Sequence, residues 1–119
     1  ECDTVAGVGN NLQWKVRVGS QDSDPSADTS AYARAAIDSI SAGDMDTTGG
    51  TVVTLTGTNF GPDDGTTVTA TYGPSGTEFS AQGACAYVTA HQEVTCTASA
   101  GAGQALVWQL TIGSYAGEV

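Results

Sequence analysis

Cys2-Asp-Thr-Val-Ala-Gly-Val-Gly-Asn-Asn-Leu-Gln-Trp-Lys-Val-Arg-Val-Gly-Ser20 returns 94 residues later as Cys96-Thr-Ala-Ser-Ala-Gly-Ala-Gly-Gln-Ala-Leu-Val-Trp-Gln-Leu-Thr-Ile-Gly-Ser114. Eight of the nineteen aligned positions are identical, among them both tryptophans of the chain, two of its three cysteines and both glycines of each Gly-x-Gly. Ala- and Gly-rich composition alone does not produce such a match, so the sequence contains an internal repeat. Each copy alternates as a half-buried strand does. Leu12, Trp14, Val16 and Val18 share one face and Gln13, Lys15 and Arg17 the other; Leu106, Trp108, Leu110 and Ile112 repeat the apolar set.

Working outward, residues 1–20 read as the end of one copy and 30–119 as the whole of the next. Between them Gln21-Asp-Ser-Asp-Pro-Ser-Ala-Asp-Thr29 is polar, acidic and poor in packing side chains, and reads as a linker or a solvated loop. Strands are predicted over Tyr32–Ile40, Thr51–Thr58, Thr66–Tyr72, Cys85–Thr89, Glu93–Thr97 and Leu106–Ile112, with a weaker one over Thr77–Ala81, bounded by Gly, Pro and Asp clusters. Short strands without a helical pattern predict an all-β chain built as an antiparallel sandwich. At 119 residues there is material for one compact domain.

Gly49-Gly-Thr-Val-Val-Thr-Leu-Thr-Gly-Thr-Asn-Phe-Gly61 then resembles the signature of the IPT/TIG domain, the immunoglobulin-like fold of plexins, scatter-factor receptors and some transcription factors. Val94-Thr-Cys-Thr97 and the Gly-x-Gly before the Trp strand extend the resemblance to about 90 residues. Where such domains commonly open on a proline before Ile, this chain has Ala35-Ala36-Ile37. The resemblance implies a unit of a tandem array, of the kind found in large surface proteins. In physical terms the signature builds a strand and a corner. Gly49-Gly50 turns, Val53 and Leu55 enter the core, Gly57 permits a bulge or close approach, and Phe60 closes one end.

A hairpin turning at Ala90-His91 opposes residues whose numbers sum to 181, which sets Cys85 against Cys96 and Tyr87 against Val94. Opposed Cβ atoms about 4.5–5.5 Å apart are within reach of a disulfide. A reduced, buried pair in a cytosolic protein is the alternative. Cys2 is the copy of Cys96, so its expected partner lies 94 positions before Cys85, upstream of the first residue, in the same polypeptide or in another chain.

The chemistry of sites is sparse. His91 is the sole histidine and falls at the predicted turn, so neither a triad nor a His-based metal site is arranged around it. Gly101-Ala-Gly103 lacks the Lys-Ser/Thr and the helix of a nucleotide loop. Asp44, Asp46, Asp63 and Asp64, with Asp22, Asp24 and Asp28, are weak candidates for calcium; none matches a calcium loop, and the turn chemistry of Asp is sufficient reason for them. A net charge of -10 opposes nucleic acid and anionic membranes. No cofactor and no membrane insertion are expected, and no Asn-x-Ser/Thr sequon occurs. The expected role is a non-catalytic structural or adhesive module, extracellular or at the cell surface, whose partners are neighbouring repeats. The competing reading is a ligand- or carbohydrate-binding module of a receptor ectodomain or secreted enzyme, binding a protein or glycan through a row of exposed aromatics drawn from Tyr72, Phe79, Tyr87 and Tyr115.

Overall fold

The computed structural model describes residues 1–116, which form antiparallel sheets and no helix. An N-terminal ribbon holds β1 (Leu12–Gln13), β2 (Arg17–Val18), β3 (Gln21–Asp22) and β4 (Thr29–Ser30). The body follows as β5 (Ala36–Ser41), β6 (Val52–Thr58), β7 (Val68–Gly73), β8 (Phe79–Ser80), β9 (Ala86–Thr89), β10 (Glu93–Thr97), β11 (Val107–Ile112) and β12 (Tyr115–Ala116). Its two four-stranded sheets run in the orders β5-β6-β10-β9 and β12-β11-β7-β8, and the chain changes sheet after β6, β8 and β10.

The two sheets share one core, and the period of two in each strand builds it. Val53 and Leu55 enter from β6, Val94 and Cys96 from β10, Val68, Ala70 and Tyr72 from β7, and Trp108, Leu110 and Ile112 from β11. Phe60 is fully buried at one end, as the signature predicts. Each fully buried Val, Leu, Ile or Phe contributes roughly 1.5–3 kcal/mol of transfer free energy. Tyr72 stands directly across the strand pair from Trp108 and lies between Trp108 and Phe79, with centroid separations of 4.3 and 5.4 Å. Its hydroxyl accepts from the Ser99 N–H at 3.0 Å and lies 3.1 Å from both the Ser99 carbonyl and its Oγ, so this buried phenol is satisfied.

Two expectations need correction. Residues 21–29 do not form a linker: they run back along the Trp14 strand, pairing Arg17 with Asp22, Val18 with Gln21, Leu12 with Ser30 and Gln13 with Thr29. Serine makes this possible without apolar alternation, because Ser26 and Ser23 Oγ accept the Trp14 and Val16 N–H groups at 2.9 Å. The first body strand begins at Ala36 rather than Tyr32, since Tyr32 gives its N–H to the Gly9 carbonyl instead of to a sheet. Body and ribbon together measure 60 × 25 × 22 Å, with a radius of gyration of 17.4 Å. A compact chain of this length has about 13–14 Å.

Gly57 has the role its place in the signature suggests. The β5–β6 register shifts beside it, between Ile37 and Ser39, and a Cβ there would lie 1.9 Å from the Ala36 carbonyl oxygen and 2.7 Å from Phe60 Cζ. Gly43 faces open space at negative φ. Gly57→Ala should therefore cost about 1–3 kcal/mol or more by overpacking, whereas Gly43→Ala should be neutral or slightly stabilising. Urea unfolding midpoints check the pair, and equal midpoints would contradict the close approach.

Candidate interaction surface

The ribbon presents the most conspicuous apolar surface. Trp14, Val16 and Val18 are 42%, 58% and 74% exposed, whereas their counterparts Trp108, Leu110 and Ile112 are buried. The Trp14 ring donates its Nε1–H to Ser30 Oγ at 2.8 Å. The Arg17 guanidinium grips Asp22 at 2.6 and 2.9 Å and holds that carboxyl below the usual range, while Asp22 raises Arg17. Both groups are solvent-exposed, so screening leaves the pair little stabilising weight.

Backbone geometry ties the ribbon to the body's edge. β2 and β3 are joined by Gly19-Ser20 and β11 and β12 by Gly113-Ser114, with φ of 62° at Gly19 and 61° at Gly113. Asn11 and Ala105 have φ of 52° and 53°, and Gly9 and Gly103 have 134° and 154°. For Ala105 such a φ is unusual, which makes its recurrence at the same spacing informative. The β2–β3 hairpin thus has the same turn and backbone form as β11–β12. On its other side β11 pairs with β7; among the described residues the Trp14 strand has no strand in that place.

The body's cysteines meet as their spacing requires. Val94 pairs with Tyr87 and Thr95 with Ala86, and Cys85 is bonded to Cys96 with Cα atoms 4.4 Å apart. Cys85 also gives its N–H to the Val68 carbonyl of the opposite sheet at 2.7 Å, so the bridge fastens the point where the chain crosses between sheets. Such a bond fits an oxidising compartment. Cys2 is free and exposed. The turn is one residue longer than Ala90-His91, with the register shifting between Glu93 and Val94. Gln92 N–H bonds to the Thr89 carbonyl around His91 at φ 67°, the pattern of a type II turn.

The acidic candidates are dispersed into local turns. Asp46 Oδ1 accepts from the Thr48 N–H and hydroxyl, which holds its carboxyl below the usual range, and Asp64 Oδ1 accepts the same pair from Thr66. Asp44 and Asp63 are exposed. No three His, Cys, Asp or Glu side chains among the described residues group as a metal site. The aromatic candidates do not form a row either: Tyr72 is buried, Phe79 stacks on it, Tyr87 bonds through its hydroxyl to the Phe60 carbonyl, and the Tyr115 side chain lies outside the described residues. No helix among the described residues is long and apolar enough to cross a membrane. No protein-family model, curated protein or solved structure matches the chain.

Two outcomes follow from this geometry. Under native, non-reducing conditions a maleimide should label Cys2 alone, and Cys85→Ala with Cys96→Ala should cost about 3 kcal/mol in urea unfolding for a closed loop of this length. Labelling of Cys85 or Cys96 in the folded chain would contradict the bridge. Burial, then the charges of Asp64 and Asp63, push the Tyr87 phenol up. A raised folded pKa means that its contribution is present below about pH 10 and is lost as pH rises through the folded value. An ultraviolet titration should therefore show a late-ionising tyrosine that is missing from Tyr87→Phe.

Proposed function

We propose that the chain is a non-catalytic unit of an extracellular array of immunoglobulin-like sandwiches of the IPT/TIG type. The body is one unit, and the ribbon is the closing hairpin of the unit before it. The exposure of Trp14, Val16 and Val18 carries the reading, because the same strand in the body is buried, paired with β7 at its edge and faced by the opposite sheet. A sheet edge with an open apolar face is a template for pairing. The partner that fits it best is a β7-type strand, with Val, Ala and Tyr pointing inward at alternate positions. In such an array each unit chiefly contacts its neighbours, and the assembly spaces and stiffens a cell-surface filament or coat. The bridge supports an oxidising location, and the acidic surface speaks against nucleic acid as a partner.

The test is a concatemer in which residues 26–95 are joined directly to Cys2–Val119, restoring a full copy ahead of the ribbon. Cys2 then follows at the position of Cys96 and should pair with the added Cys85, leaving no free thiol. In single-molecule stretching the two units should unfold as separate events. Reduction should lengthen each by about 32–35 Å, since the bridged cysteines, 11 positions apart in sequence, are held with Cα atoms 4.4 Å apart and reach about 36–40 Å when the chain between them is extended. A concatemer that keeps Cys2 reactive and shows one unfolding event would overturn the proposal.

A further inference from the structure

The Gly7-Val8-Gly9 loop belongs to the ribbon's copy, yet it packs against the body. A Cβ on Gly61 would fall 2.6 Å from Val8 Cγ1, and one on Gly113 would fall 3.6 Å from Val8 Cγ2. The valine therefore occupies space that two glycines leave open, beside Ile112 and the Tyr87 hydroxyl. Tyr32 fixes the loop from the other side: its ring covers Gly7, its N–H bonds to the Gly9 carbonyl at 2.9 Å, and its hydroxyl bonds to the Val5 carbonyl. Gly113 follows β11, whereas the equivalent loop of the body's own copy, Gly101-Ala102-Gly103, precedes it. The two lie at opposite poles, about 20 Å apart at 3.3 Å per residue.

We infer that the pole formed by Gly61, Ile112 and Gly113 is the receiving face of a head-to-tail joint, and that its partner is the Gly-x-Gly loop of the preceding unit, with the middle residue as plug. Gly101-Ala102-Gly103 is the corresponding donor at the far pole, where Ala102 is exposed. Its partner is the Gly61-type pole of a following unit. Ala102 carries two methyl groups fewer than Val8, so that second joint is the looser. The inference rests on the array reading and adds to it a defined contact that fixes how successive units are oriented.

The joint is tested in the full chain with Val8→Asp and the conservative Val8→Ile, by amide hydrogen exchange and small-angle scattering. In Val8→Asp the Tyr32 amide should exchange about tenfold faster or more and the radius of gyration should rise. The Val53 and Leu55 amides should keep their protection, and Val8→Ile should match the parent chain. Unchanged Tyr32 exchange and scattering in Val8→Asp would overturn the joint. So would loss of protection at Val53 and Leu55, because Val8 would then be a core residue of the body. Either failure leaves the thiol result of the concatemer standing, so the joint and the array fail separately.

Discussion

Trp108 lies against Tyr72, and the rest of the body is arranged around that contact. The two residues are directly opposed on β11 and β7, so stacking them at 4.3 Å fixes the register of the pair. A slip of one residue would turn the inward set of one of the two strands outward, either Val68, Ala70 and Tyr72 or Trp108, Leu110 and Ile112. The Tyr72 hydroxyl reaches Ser99 on the segment that carries the chain from β10 to β11, which couples the stack to the crossing between sheets. The Cys85–Cys96 bond fastens another such crossing, after β8. An aromatic stack worth about 0.5–1.5 kcal/mol beyond its buried area would not hold a fold by itself. Its weight comes from specifying which pairing the remaining apolar burial can use.

The ribbon shows what the Trp strand becomes without that partner. Leu12 to Val18 has the same alternation as Leu106 to Ile112, but serine hydroxyls and an exposed ion pair take the place of a facing strand. The shared Gly-Ser turn and the positive φ at Asn11 and Ala105 accompany the same hairpin backbone in both places. Burial differs because it is a tertiary property. Covering the face of Trp14 requires what the body has, a β7-type strand beside it and a second sheet opposite.

Much of the body was legible in the sequence because one rule governs each feature. Alternation located the Trp strand and its inward set, the sum of 181 matched Tyr87 to Val94, and Gly57 was marked by its place between a strand and Phe60. The return strand of the ribbon was not legible, since residues 21–30 pair through backbone and serine oxygens with both faces in solvent, and no hydrophobic period results. The one available signal was the turn: Val18-Gly-Ser-Gln21 has the form of a two-residue hairpin loop and recurs at Ile112-Gly-Ser-Tyr115. The seat of Val8 was hidden for a related reason. It is defined by the absence of side chains at Gly61 and Gly113, which lie far apart in sequence and meet only once the sheets are closed.

Two strands with the same apolar alternation occupy opposite environments in this chain, one closed and one open. Tryptophan fluorescence distinguishes the two environments, with Trp108 observed alone in Trp14→Phe and Trp14 obtained as the difference from the parent chain. Trp108, 2% exposed, should emit at short wavelength and resist acrylamide, while Trp14 should emit at longer wavelength and be quenched readily. Equal emission and equal protection for the two rings would contradict the account.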